Sequence, residues 1–389
     1  TLYTLHMKEE IITKMSKFTI TEQAILLITR KDLNEEQMNY LREILNSCEM
    51  DWSYFVGSLI YNRVNGIAYK NLVKMGGVTR RIMFPLEAAY ENIKKRTNLH
   101  CSEILKLDKY FEEAGINYAF LKGAVLNTMY YEFGERLSND TDLLVDEKDL
   151  KKVDEILKRH GYIQGRVENN KVIPATQKEI LFAKMNTYEV YPYVKWIGDE
   201  CFPFHEIDIN FKLENGARIE DVKDMLKHTM RIENSEYGIR TLDVDSFLIF
   251  LCIHHYREAT MLLKILEGED LTLYKYLDIH VFIKQTSIDW AKLISKAKLY
   301  DKEIEVYHTL WYTEHIYPGT IPNSVFSMFE LKDYDFVDEY NVKDNSHERI
   351  KWKLDFYHRL FNVERRKEAL EAAKDESEKL KKMITDLRD

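Results

Sequence analysis

Only 14 glycines and 6 prolines punctuate 389 residues, about one residue in twenty where ordinary proteins carry about one in eight. Tight turns depend on those two residue types, which argues against a barrel or sandwich of many short strands. Long helices are expected to carry most of the chain. Hydrophobic residues make up 45% and charged residues 31%, with 25 Tyr and 18 Phe. That is enough apolar surface to offset the entropy of ordering the chain. The longest wholly apolar run, 247–253, falls far short of the roughly 18 residues of a membrane span. A net charge of −9, from 56 basic and 65 acidic side chains, argues against phosphate-driven binding to long nucleic acids. Four cysteines, Cys48, Cys101, Cys201 and Cys252, show no CxxC spacing. Together with the lack of a signal-peptide pattern, they predict reduced thiols in a cytoplasmic protein with no membrane partner.

Between about residues 19 and 99 the apolar positions recur at helical spacing, as in Ala24, Leu27, Ile28 and then Met38, Leu41, Leu45. Asp51, followed by Trp52, Phe55, Val56 and Leu59, reads as an N-cap opening an amphipathic helix. Asp289, Trp290, Leu293, Ile294 and Ala297 repeat the phrase. The middle differs: a short β-prone run at 116–121 ends at Lys122-Gly123, and a helix is expected over 124–131. A second strand follows at 141–145, then a helix at 147–159 stopping at Gly161. Runs at 187–194 and 204–213 are aromatic and β-branched. In the latter, Glu206, Asp208 and Asn210 alternate with Ile207, Ile209 and Phe211, the period of a half-buried strand. Helical periodicity resumes at a capping Asp243 and runs to about residue 361. The expected class is α+β and helix-rich: a small mixed-sheet core at 116–215 between helical regions at 7–115 and 216–362, then a charged helical tail at 363–389. In that tail Leu370, Ala373, Ser377, Leu380, Ile384 and Leu387 form one narrow apolar seam. Fewer than three heptads favour packing on the protein's own body over self-association.

The stretch 120–145 carries the most chemistry. Asp140 and Asp142, spaced i and i+2, project to the same side of an extended chain and can jointly grip a hard, oxygen-preferring cation such as Mg²⁺ or Mn²⁺. Asp208 lies among apolar residues, where an unpaired charge is costly to bury, and is the candidate third carboxylate, with Glu206 on the same face in reserve. Gly123 lets backbone come close to a phosphate, and a helix starting there aims free N–H groups at an anion. Lys122 and Arg136 can neutralise the remaining charge. Each has a plainer reading as well: Lys122 ends a strand, and Arg136 is a structural partner of Asp140. These ingredients match metal-assisted nucleotidyl transfer. P-loop, GxGxxG, GxSxG and HRD motifs are absent from the sequence.

On these residues the chain resembles the nucleotidyltransferase superfamily related to polymerase beta, and most closely a bacterial family known as uncharacterised nucleotidyltransferases. The matching elements are Leu121-Lys122-Gly123, then Arg136 with Asp140-Thr141-Asp142-Leu143-Leu144-Val145, Gly161-Tyr162, and Ile207-Asp208-Ile209-Asn210-Phe211. The resemblance implies that Asp140, Asp142 and Asp208 are catalytic metal ligands, with Asp208 the general base, and that Lys122 and Gly123 border the triphosphate of ATP or another NTP. Asn210 and Phe211 stand where that family commonly has His and Trp, and Lys-Gly replaces the Gly-Ser of better characterised superfamily members. A His near His254 and His255 and an Asp near Asp278 also belong to the resemblance. They border the nucleotide or acceptor pocket, or they form a buried His–Asp pair, the duller reading and the preferred one. A zinc site from His205, His254 and His255 lacks HExxH spacing or Cys support and is disfavoured.

The function expected is Mg²⁺-dependent transfer of NMP from NTP to an acceptor hydroxyl. The acidic charge and the aromatic stretch 188–196 favour a small-molecule acceptor over tRNA or a protein side chain. The rival class is a catalytically silent nucleotide-binding scaffold.

Overall fold

The computed structural model describes residues 15–234, 237–342, 349–376 and 378–379. It is α+β and helix-rich. The chain divides into two compact units. One comprises residues 63–250 and 285–289; the other comprises 1–62, 251–284 and 290–389. The N-terminal and C-terminal helices thus share a unit.

The first of these units is built on an eight-stranded sheet. Its strands are β1 (Tyr118–Phe120), β2 (Asp140–Val145), β3 (Ile163–Glu168), β4 (Lys171–Pro174), β5 (Tyr193–Trp196), β6 (Phe204–Asn210), β7 (Thr229–Glu233) and β8 (Gly238–Leu242), in the spatial order 4-3-5-6-2-1-8-7. β2 runs parallel to β6, and β1 parallel to β8; the other pairs are antiparallel. β2 and β6 sit at the centre, so β2 after its aspartates reads as a continuous apolar run, Leu143-Leu144-Val145, buried on both faces. The helix Leu150–Arg159 turns Leu150, Val153, Ile156 and Leu157 inward at spacings of three and four. Each such side chain contributes roughly 1.5–3 kcal/mol on full burial.

The sheet is larger than the sequence pattern indicates. β7 and β8 lie at 229–242, inside the segment expected to be helical. The run at 187–194 is not one strand: Pro192 has no N–H to give a ladder, and regular pairing starts only at Tyr193. Upstream of it only an antiparallel bridge between Glu189 and Asn210 forms.

Among its described residues the other unit is helical apart from a two-stranded ribbon, Glu339–Asn341 with Arg349–Lys351. Its N-terminal helices are fixed by side-chain caps. Thr19 and Asn34 close capping boxes, and Asp51 Oδ1 accepts from the Tyr54 amide at 2.9 Å, the cap expected from the sequence. Helix Glu364–Ala372 packs on this unit's own body, where Ala369 and Ala373 join Leu262, Ile265, Leu266 and Trp352 in one cluster. The rest of the tail's apolar seam, at Ser377, Leu380, Ile384 and Leu387, lies outside the described residues. Among the described residues no helix is long and apolar enough to cross a membrane.

Candidate active site

Strand periodicity and register bring the acidic residues together. Along β2, Asp140 and Asp142 point to one face and Thr141 to the other; along β6, Glu206 and Asp208 point to one face and His205 and Ile207 to the other. The parallel register places Asp140 opposite Glu206 and Asp142 opposite Asp208. Two carboxylate pairs, the members of each 66 residues apart in sequence, therefore share one face of the two central strands.

β1 delivers the chain to the same place. Leu121 is extended, its amide donates to the Asp142 carbonyl at 3.0 Å, and the helix Lys122–Met129 starts at the next residue. Lys122 takes a left-handed backbone with φ +43°, a conformation costing an L-residue on the order of 1 kcal/mol and held only where the surroundings enforce it. Its ammonium donates to Asp142 Oδ1 at 2.7 Å. The left-handed turn expected of a glycine thus falls on Lys122. Gly123 is needed for a different reason: a Cβ there would lie 1.9 Å from Ser138 Oγ and 3.0 Å from an Arg136 guanidinium nitrogen. Arg136 is buried and donates to Ser138 Oγ at 2.6 Å and Asn127 Oδ1 at 3.2 Å. It thereby ties the segment before β2 to the first helix after β1.

Burial, and after it the crowding of like charges, shifts the proton affinities of this face. Burial pushes the Asp142 carboxyl up to about 6; Lys122 opposes the rise and Asp140 adds to it. Burial lifts Asp208 well above the ordinary carboxylate range, reinforced by Asp140, Asp142 and Glu189. Glu206 is raised by burial and by Asp140, with Arg96 pulling it down. A cation beside these carboxylates would let all of them ionise. The donors are all oxygen, which fits a hard divalent ion.

The opposite face of the same strands is neutral and hydrogen-bonded. Thr141 Oγ1 lies 2.7 Å from His100 Nε2 and 2.8 Å from His205 Nε2, and Tyr162 Oη lies 2.7 Å from His205 Nδ1. Burial lowers His100 to about 4 and holds His205 well below the usual histidine range, so both are neutral. His205 is a core residue of this network.

Two further residues enter that sequence reasoning missed. Arg96, on the helix Arg80–Glu113, donates to the Ser138 carbonyl at 3.2 Å and the Asn139 carbonyl at 3.4 Å, holding the approach to Asp140. Glu189 bridges Asn210 on β6. An acidic residue between Tyr188 and Val190 repeats the acidic-apolar alternation of Glu206-Ile207-Asp208, the one signal that could have marked it. Asn210 is buried and donates to the Leu143 carbonyl at 3.4 Å, and Phe211 is buried in the core.

His254, His255 and Asp278 belong to the other unit. His254, His255 and Glu258 set three ligand atoms within 4.8 Å of one another. The Lys275 ammonium, 2.6 Å from Glu258 Oε2, already supplies that carboxylate with a cation. His254 Nε2 is 3.4 Å from the same oxygen.

The family described as "Uncharacterised nucleotidyltransferase" matches residues 48–318. The chain belongs to that family. The match spans Lys122-Gly123, the β2 aspartates and Asp208, and it supports an enzyme of the nucleotidyltransferase class that uses an NTP. No curated protein matches the sequence.

Proposed function

We propose that the carboxylate face of β2 and β6 transfers a nucleoside monophosphate from an NTP to a hydroxyl of a small-molecule acceptor. The observation that carries this reading is the register, which sets Asp142 beside Asp208 and Asp140 beside Glu206 next to the helix start at Lys122. Asp140, Asp142 and Asp208 would hold Mg²⁺ or Mn²⁺, which when bound neutralises phosphate charge and steers the displacement. The first-turn amides after Lys122 face the triphosphate, and Lys122 exchanges its bond to Asp142 for a phosphate oxygen. The acceptor oxygen forms a bond to the α-phosphorus while the bond from that phosphorus to the pyrophosphate oxygen breaks. Asp208 takes the hydroxyl proton, and pyrophosphate leaves with the electron pair. The ordered motif from Lys122 to Asp208 supports a place in the polymerase-beta-related superfamily. Four free thiols support a reducing, cytoplasmic setting.

Net charge of −9 and the aromatic stretch 188–196 support a small acceptor. The test is transfer of α-labelled NTPs, with Mg²⁺, into fractionated cell extract. A labelled small molecule with stoichiometric pyrophosphate supports the reading. Label in tRNA or protein replaces the acceptor class; nucleotide binding without pyrophosphate in any fraction marks a sensor and overturns the enzyme.

A further inference from the structure

Asp140 and Glu206 form the first rung of the β2–β6 ladder, one pair ahead of Asp142 and Asp208. The chain leading into each strand is irregular, at 137–139 before β2 and at 197–203 before β6. Pairing fixes register along a ladder, but an end rung frays unless something holds the incoming chain. The outer carboxylate pair therefore depends on contacts from outside the ladder.

Those contacts converge on one side chain. Arg96, on the helix Arg80–Glu113, donates from Nε to the Ser138 carbonyl at 3.2 Å. One terminal nitrogen donates to the Cys201 carbonyl at 3.2 Å, and the other to the Asn139 carbonyl at 3.4 Å. The three acceptors belong to both leading segments. The guanidinium also lies 5.2 Å from the centroid of the Phe202 ring, which is fully buried. His100 stands four residues after Arg96, on the same helix face. Its Nε2 meets Thr141 Oγ1, which in turn reaches His205 on β6. One helix face thus ties β2 to β6 twice, at the strand entries through backbone carbonyls and one residue further along through the neutral chain.

A planar fork with donors at fixed angles can serve three carbonyls at once. A lysine ammonium, one nitrogen on a flexible stem, cannot span them. The three bonds from Arg96 go to neutral carbonyls, while its charge acts through space on Glu206 and Asp140. For an arriving cation the two effects have opposite signs: the charge of Arg96 repels it, whereas the fork holds in place the carboxylates that would receive it.

We propose that Arg96 is a positioning residue for the carboxylate face: by joining the segments before β2 and β6 it fixes the separation of Asp140 and Glu206, and with it the fit of a divalent cation. This rests on the reading of that face as a nucleotidyltransferase site. Arg96 acts through the backbone and touches no reacting atom.

The experiment uses the full chain with Mn²⁺ alone, measuring affinity by electron paramagnetic resonance beside the melting temperature. Arg96→Lys keeps the charge and loses the fork, and is expected to bind Mn²⁺ about tenfold more weakly, the scale for removing a group that orients metal ligands. Arg96→Ala is expected to bind at least as weakly although a repelling charge is gone. Added guanidinium should restore affinity to Arg96→Ala where methylammonium at the same ionic strength does not. Thr141→Val, destabilised from the opposite face, should keep near-wild-type affinity and so separates lost stability from lost positioning. Wild-type affinity in Arg96→Lys, tighter binding in Arg96→Ala, equal effects of the two added cations, or variants that do not fold overturn the proposal even though wild type binds Mn²⁺. Failure of wild type to bind Mn²⁺ overturns the reading of the site itself.

Discussion

The two faces of strands β2 and β6 are made by the same alternation and come out as opposites. On one face Asp140, Asp142, Glu206 and Asp208 crowd like charge, relieved at Asp142 by Lys122. On the other, Thr141 and His205 complete a chain from His100 to Tyr162 in which each group is neutral and bonded. A buried polar network that satisfies itself is scaffold. On the carboxylate face, burial first and neighbouring carboxylates second push proton affinities upward, and under the proposed function a bound cation would relieve them. Under the proposed function, the difference separates the reacting face from the framework within a span of three residues.

The largest effect expected is on the carboxylate face. Asp208→Asn should lower turnover by about 10³-fold or more, the scale for removing a group that acts on the transition state. Because one repelling charge is gone, the metal-free protein should melt a few degrees higher, roughly 2–4 °C per kcal/mol gained. Normal turnover in this variant would erase the contrast between the faces.

Acid separates the faces by sign. His100 has a folded value near 4 against 6.5 unfolded, so its contribution is complete above 6.5 and is lost as pH falls toward 4, up to about 3 kcal/mol. Asp142 runs the other way: raised from 3.8 to about 6, it favours the fold at low pH, and that contribution is lost as pH rises from about 4 through 6. In wild type the two slopes oppose each other. Chemical denaturation from pH 7 to 4.5 should therefore show a steeper acid loss in Asp142→Asn than in wild type; parallel curves would mean the faces are not electrostatically distinct.

Thr141→Val tests the scaffold side. It leaves two buried histidines short of a partner and should cost about 2 kcal/mol, seen as a lower melting temperature, with turnover changed much less than by Asp208→Asn. Asp51→Ala, which removes a cap in the other unit, should cost about 1 kcal/mol and leave turnover as it was.

Much of this was legible along the chain, and the exceptions have physical causes. Asp140-x-Asp142 before an apolar run, and the alternation around Asp208, predict the strands and faces that form, because period two is local information. The Asp51 cap is equally local. The hairpin of β3 and β4 escaped because its two-residue turn uses Asn169 and Asn170, both left-handed, in place of the glycine that usually marks such turns. β7 and β8 are five residues each, too short for periodicity to outweigh the helical pattern after them. The role of Lys122 in the left-handed turn could not be read from Lys-Gly, since nothing local says which of the two bends and which packs against Ser138. Glu189 needed tertiary register: only its bridge to Asn210 puts it on the acidic face.

The most direct test of the central claim is a Mn²⁺ titration by electron paramagnetic resonance with a non-hydrolysable NTP analogue, comparing wild type with Asp142→Asn, Asp208→Asn and Thr141→Val. The account predicts about two Mn²⁺ ions per wild-type chain, affinity weakened about 100-fold or more in either aspartate variant, and near-wild-type binding in Thr141→Val. Equal Mn²⁺ affinity in wild type and both aspartate variants would contradict it.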